Sequence, residues 1–236
     1  MAKSKKPTKS GKTPSGGSGR RDLTIRVKSE GRKASTVRWL QRQLNDPYVT
    51  QAKKDGWRSR AAYKLIEIDD KQKILKPGQL VIDLGAAPGS WTQVALDRIG
   101  SKGKIIGIDL LEIEPITGVD FIQGDFTEDE SFEELKALIG DRKADVILSD
   151  MAPNTSGHRQ TDHIRIVALC ELAVDFAIQY LKPNGVFLAK IFQGGAEKSI
   201  LDPMRKHFKQ IRHVKPKASR ADSSEMYVLA QGFRLE

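Results

Sequence analysis

Residues 81–93 read VIDLGAAPGSWTQ. An apolar run stops at Asp83, a loop of small residues from Gly85 to Ser90 follows, and Trp91 stands where a helix should begin. Small residues at a strand end let a ligand approach the backbone, and the indole suggests a ligand with a flat or apolar part. The same rhythm recurs along the chain. Strand-like runs appear at LVIDLG (80–85), KIIGIDL (104–110), VDFIQGD (119–125), DVILSD (145–150), GVFLAKIF (185–192), QIRHVKP (210–216) and EMYVLAQGF (225–233). Helical patterns separate the early ones: WTQVALDRI, DESFEELKALI and HIRIVALCELAVDFAIQYL, with LDPMRKHF after the fifth strand. Two further helices, STVRWLQRQLND and RSRAAYKLIEID, precede the first strand. Several strands are apolar without alternation, as parallel strands covered on both faces are. Repeated βα units then predict a three-layer α/β sandwich. Only the loop KPKASRADSS joins the last two strands, so a terminal hairpin with one antiparallel strand is expected.

A chain of 236 residues with 39% hydrophobic content supports one sizeable core. No apolar stretch follows the N-terminal charges and no run reaches membrane-spanning length. Cys170 is the one cysteine, so no intrachain disulfide can form. These features read as a soluble, cytoplasmic protein. The formal net charge is +10, and residues 1–38 account for all of it, with twelve Lys/Arg against Asp22 and Glu30. Residues 1–34 therefore read as a disordered basic arm and 35–236 as the folded domain. Such an arm suits a nucleic-acid tether through counterion release, or a solubilising tail. Within the domain, residues 107–150 carry thirteen acids against three basic side chains, whereas 198–220 carry eight Lys/Arg against Asp202 alone. KKDGWRSR (53–60) is basic as well.

Open α/β sheets bind ligands at the carboxyl ends of their strands, near the first βα turn. DLGAAPGSW occupies that turn. Asp109 follows Gly89 by twenty residues, where an acid can bond ribose hydroxyls. Asp125 ends the third strand, so Asp83, Asp109 and Asp125 are expected to make the pocket mouth acidic. A dinucleotide would bring a pyrophosphate that these acids repel, and the loop is not GxGxxG. S-adenosylmethionine, with a sulfonium and an ammonium and no phosphate, suits the site.

The segment SDMAPN (149–154) has no aromatic residue to stack a base for amine methylation. Cys170 lies in an apolar helix and reads as packing rather than as a nucleophile for base-carbon chemistry. A ribose hydroxyl remains as the acceptor. It becomes a nucleophile when its proton is taken or its oxygen polarised, which a neutral lysine can do where cations and burial favour loss of the lysine proton. Lys190 interrupts the apolar strand LAKIF. Alone it fits an edge residue snorkelling to water as well. Lys64, Asp150 and Glu225 strengthen the catalytic reading.

The segments SRAAYKL, DLGAAPGSW, IIGIDLL, GVDFIQGDF, SDMAPNTSG, LAKIFQGG and SRADSSEMYV, in this order and spacing, resemble the FtsJ-like (RrmJ-type) ribose 2′-O-methyltransferases, especially those acting on a uridine of bacterial 23S rRNA. The resemblance spans roughly residues 35–234. It implies a Rossmann-like, S-adenosylmethionine-dependent methyltransferase fold, with a seven-stranded, mostly parallel sheet and helices on both faces. It also implies a Lys-Asp-Lys-Glu tetrad at Lys64, Asp150, Lys190 and Glu225. Lys190 would take or polarise the hydroxyl proton, Lys64 and the sulfonium would be the neighbouring cations, and the acids would orient the amines. S-adenosylmethionine would lie against Gly85, Gly89, Trp91, Asp109, Asp125 and Asp150, with Asp83 at the same loop and Trp91 closing the pocket. Ser90 departs from the family's second glycine. The implied partner is 23S rRNA within the large ribosomal subunit, and the chain is expected to be a monomer with no metal.

Weaker signals have plainer readings. His158 and His163 lie in GHRQTDH, which reads as a mobile lid touching RNA rather than a metal site. Trp39 and Trp57 suit stacking on bases or packing. Arg58 and Arg60 beside Lys64 are RNA candidates. Two other functions remain open at this point: a tRNA ribose methyltransferase with the same tetrad, and a non-catalytic RNA-binding assembly factor. A nicotinamide-dependent oxidoreductase is disfavoured by the loop and the acids.

Overall fold

The computed structural model describes residues 25–29, 31–153, 158–192, 197–220 and 223–235. Most of the basic arm (residues 1–24 and Glu30), the NTSG and QGGA segments and the Ala221–Asp222 pair lie outside the described residues. By their contacts the residues divide into two units, one ending at Asn45 and one running from Asp46.

In the first unit, α1 (Ala34–Leu44) forms from the RWLQRQL pattern. Side-chain amides hold an extended segment to this helix: Val27 N–H donates to Gln41 (2.8 Å) and Ile25 N–H to Asn45 (2.8 Å). Residues 25 and 27, inside the arm as read from composition, are thus tied down locally.

The second unit begins with α2 (Pro47–Asp55), which periodicity alone does not reveal. Its signals are at its ends. Asp46 caps it by accepting from Tyr48 N–H, Pro47 takes the first turn where no N–H is needed, and Gly56 closes it in the left-handed region. Next come α3 (Ala62–Gln72), β1 (Leu80–Leu84), α4 (Ser90–Ile99), β2 (Lys104–Asp109), β3 (Val119–Gln123), α5 (Asp129–Ile139) and β4 (Ala144–Ser149). The chain continues through α6 (Arg159–Tyr180), β5 (Leu181–Phe192), α7 (Glu197–His207), β6 (Phe208–Val214) and β7 (Glu225–Phe233).

The seven strands form one sheet in the order β3-β2-β1-β4-β5-β7-β6. All neighbours are parallel except β7, which runs antiparallel to both β5 and β6. The expected terminal hairpin is present, with β7 inserted between its partner and β5.

Side-chain alternation along the strands builds two cores. Val81, Tyr227 and Leu229 face α3 and α4, where Leu65, Ile68, Trp91 and Val94 pack. Ile82, Leu84 and Val228 face α5, α6 and α7, with Leu135, Phe176 and Met204. The chain leaves β1 toward β2 and β3, then returns on the other side as β4. This reversal opens a crevice at the carboxyl ends of β1 and β4. Among the described residues no helix is long and apolar enough to cross a membrane.

Candidate active site and cofactor cleft

The loop after β1 is shaped by contacts that need its small residues. Gly85 adopts φ +79°, and a Cβ there would come within 2.8 Å of the Met151 backbone, so the β1 and β4 turns touch only because Gly85 lacks one. Gly89, at φ +97°, caps α4. Arg58 holds the loop from outside, donating to the carbonyls of Pro88 (3.0 Å) and Pro115 (3.2 Å).

Beside this loop lies a cleft of about 770 Å³. Gly85 and Ala87 form part of it, Ile108, Leu110, Phe126, Met151 and Leu172 give it apolar walls, and Asp109, Asp125 and Asp150 bring three carboxylates. Backbone groups aim these acids. Asp109 accepts from Ala87 N–H and Leu111 N–H, each at 2.9 Å. Asp125 accepts from the Thr127 N–H (2.8 Å) and hydroxyl (2.7 Å). With three carboxylates against the Arg165 guanidinium, the lining favours a ligand with a flat or apolar part and positive groups over a phosphate.

Two expectations for this cleft need correction. Asp83 is fully buried and does not line it. Its carboxylate instead accepts from the Thr92 hydroxyl (2.7 Å), tying β1 to α4. Burial, reinforced by the Asp150 and Asp109 carboxylates, pushes its acid up to about 7. The Trp91 indole does not close the cleft either. It is 3% exposed, stands 5.5 Å from the Tyr227 ring, and donates its N–H to the Ala61 carbonyl (3.0 Å). A large flat side chain at the first turn of α4 is more stable in the α3/α4 core than in an aqueous cleft. What Trp91 presents at the helix start is its backbone N–H, one of the first-turn donors that lack an acceptor within the helix.

The four tetrad residues meet at the rim. Lys190, 9% exposed on β5, places Nζ 3.1 Å from Asp150 Oδ1 and donates to the Asp150 carbonyl at 2.5 Å. Lys64 on α3 lies 2.8 Å from Glu225 Oε1. The two pairs are joined by Tyr227, which sequence reasoning missed. It sits directly across from Lys190 in the β5–β7 ladder. Its hydroxyl donates to Asp150 Oδ1 (2.9 Å) and lies 3.3 Å from Glu225 Oε1. Burial, then the two carboxylates, raises this phenol well above its usual range, so it remains a donor. Lys64 Nζ also stands 5.7 Å from the Tyr227 ring centre. The result is a continuous line from Lys190 through Asp150, Tyr227 and Glu225 to Lys64. A polar hydroxyl at the third position of EMYVLA was the available signal.

Ser219 and Glu67 were missed too. The Ser219 hydroxyl donates to Glu225 Oε1 (2.9 Å). Glu67 accepts from the N–H groups of Lys217 (2.6 Å) and Ala218 (3.1 Å). Arg60 donates to the Ala218 carbonyl and pairs with Asp46 at 3.1 Å. The two basic segments 53–60 and 198–220 therefore meet in space, but Arg60 is committed to fastening them rather than free for RNA. His163 lies on α6, lining the same small cavity as Ile166 and Ile200, and His158 immediately precedes that helix, so the part of the expected lid from residue 159 on is helical. Cys170 is buried, its thiol pushed up to about 12, as packing requires. No cluster of three His, Cys, Asp or Glu side chains among the described residues could hold a metal.

Comparison with known proteins shows the family of the chain. Residues 57–233 match the model of the FtsJ-like methyltransferases. A ribosomal RNA large subunit methyltransferase E of Xanthobacter autotrophicus is 58% identical over 228 residues, covering 95% of this chain and 89% of that protein. A protein of the same name from a Bradyrhizobium strain is 59% identical over 216 residues, 90% of this chain and 93% of its own length. A crystal structure from Plasmodium falciparum, described as a ribosomal RNA methyltransferase, superposes with a TM-score of 0.67 at 36% identity, covering 75% of this chain and 98% of that one.

Proposed function

The chain belongs to the FtsJ-like methyltransferase family, and on that premise we propose that it methylates a ribose 2′-hydroxyl, on a uridine of 23S rRNA, from S-adenosylmethionine. The large subunit is the proposed substrate particle, and the enzyme acts as a cytoplasmic monomer. The line of Lys190, Asp150, Tyr227, Glu225 and Lys64 at the rim of a carboxylate-lined cleft carries this reading. An oxidoreductase would need a phosphate-accepting loop at the same place, and three acids oppose one.

The residues of the cleft fit the cofactor. Asp109 and Asp125 would take its hydroxyl and amine groups, the apolar walls its flat base, and Asp150 would face its positive end. When bound, S-adenosylmethionine supplies an electrophilic methyl on a positively charged sulfur. Lys190 Nζ is the group that takes or polarises the proton of the attacking hydroxyl. Asp150 holds that amine through both its carboxylate and its carbonyl, which leaves little rotamer freedom at the reacting nitrogen. Lys64 adds a second positive charge, fixed by Glu225. The gain comes largely from holding hydroxyl and methyl in line for attack.

The test follows labelled methyl into unmethylated large subunits, free 23S rRNA and bulk tRNA, with Lys190→Ala in parallel. Label on a ribose of the subunit, lost in the variant while cofactor binding persists, is the expected result. Label confined to tRNA would overturn the substrate and keep the chemistry. Near-normal turnover by Lys190→Ala would overturn the mechanism.

A further inference from the structure

We infer that the exposed sheet edge β6, with the loop 215–220 that continues it, is the docking track for the phosphate backbone of the substrate RNA where it leaves the reaction centre. The inference rests on the reading of the substrate as RNA.

Besides Arg220, which is half-buried and pairs with Asp46 at 3.5 Å, four cations lie along this stretch: Lys209, Arg212, Lys215 and Lys217, all exposed. Their hydrogen-bond partners, where present, are neutral. Lys209 donates to Asn184 (2.9 Å), Arg212 to Gln72 (3.0 Å) and Lys215 to the Ser223 carbonyl (2.8 Å), while the Lys217 side chain makes no ion pair among the described residues. Elsewhere on the same unit some cations pair with acids, among them Arg98 with Asp70, Lys104 with Asp120 and Arg205 with Asp202, whereas Arg142 and Lys143 bond backbone carbonyls. These four side chains make no ion pair among the described residues, which suits a phosphate-binding surface.

Lysines on an edge strand also guard against pairing with another chain. That role accounts for Lys209 and Arg212. It does not account for the loop beyond the strand, which is held in one shape. Pro216, Ala218 and Ser219 are buried, while Lys215 and Lys217 stand outward. Glu67 accepts from two of its N–H groups, and Arg60 holds its Ala218 carbonyl. An edge guard needs no such anchoring.

The track also has a direction. Val214 pairs with Tyr227, and Ser219 bonds Glu225, so one end abuts the catalytic line. Phe208 pairs with Phe233 at the far end of the hairpin. At about 3.3 Å per extended residue, the strand from Lys209 to Val214 spans roughly 17 Å, enough for more than one phosphate of one strand.

The test measures binding of a 23S rRNA transcript between about 50 and 200 mM salt. It compares wild type, a variant with Lys209, Arg212, Lys215 and Lys217 all changed to Gln, the single Lys217→Gln, and Lys136→Gln as a charge control. Each phosphate that the protein no longer neutralises should make the slope of log affinity against log salt shallower by about 0.7 to 0.9. The expected results are about three units for the quadruple variant and about one for Lys217→Gln. KM for RNA should rise at least tenfold in the quadruple variant, with kcat and cofactor affinity unchanged. Lys217→Gln breaks no ion pair of the folded protein, so its slope reads the surface even if the quadruple variant folds poorly. A slope equal to wild type in Lys217→Gln, or a change no larger than that of Lys136→Gln, would refute the track. If wild type transfers no methyl to rRNA yet the slopes shift as expected, the proposed function fails and the track stands.

Discussion

Asp83 offers a sharp test of how the cleft is built. Its carboxyl is fully buried, one oxygen accepts from Thr92, and the other has no partner among the described residues. Burial and the nearby Asp150 and Asp109 carboxylates raise it from 3.8 to about 7. The folded protein therefore keeps a proton that the unfolded chain releases above its ordinary carboxylate range. Rising pH draws the equilibrium toward the unfolded state until the folded carboxyl also ionises. The stability associated with Asp83 is full below about pH 4 and is lost as pH rises through about 7. The complete difference is about 4 kcal/mol, and the part between about pH 5 and pH 8 is about 3 kcal/mol. Asp83→Asn keeps the shape and an acceptor for Thr92 while removing the titration. Urea unfolding of both proteins at those two pH values gives four free energies. Wild type should lose about 3 kcal/mol more than the variant on going to the higher pH. Other titrating groups are common to both proteins and cancel in the comparison. Parallel pH profiles for the two would refute the assignment of a buried, protonated Asp83.

Tyr227→Phe removes the hydroxyl between Asp150 and Glu225; kcat should fall with cofactor affinity retained, and urea unfolding should show a loss of about 1–3 kcal/mol. Gly85→Ala forces a left-handed φ on a residue whose Cβ would meet the Met151 backbone; a loss of at least about 1–2 kcal/mol and weakened S-adenosylmethionine binding are expected, read by denaturation and calorimetry. Cys170, buried and pushed up to about 12, should not react with a thiol reagent in the native protein and should react fully in denaturant.

The βα rhythm, the acids at the strand ends and the lone lysine in LAKIF were legible in the linear sequence. Each follows from local rules: a strand covered on both faces must be apolar throughout, and a turn that brings two backbones together must be small. The same locality explains α2, whose pattern is weak and whose capping signals at Asp46, Pro47 and Gly56 had to be read instead.

Other features depend on which face a side chain takes once the sheet is assembled. Asp83 and Asp109 both belong to strands of the expected acidic mouth, but Asp83 is fully buried behind the loop and Asp109 lines the cleft. Trp91 belongs to the core for the same reason. Tyr227 reaches the two lysine–carboxylate pairs because antiparallel pairing sets it opposite Lys190, a register fixed by residues 37 positions apart in the chain. Glu67, Ser219 and the cations of the edge acquire their roles only when the loop 215–220 folds back onto α3. The sequence by itself determined the fold class, because a βα rhythm rests on short-range pattern, and its resemblance to a known family pointed to the two lysines and two carboxylates of the expected tetrad. Only the tertiary structure decided which acid is buried, which hydroxyl joins the two lysine–carboxylate pairs and which cations of the edge make no ion pair among the described residues. Burial and charge pairing are properties of neighbours in space, and no spacing along the chain encodes them.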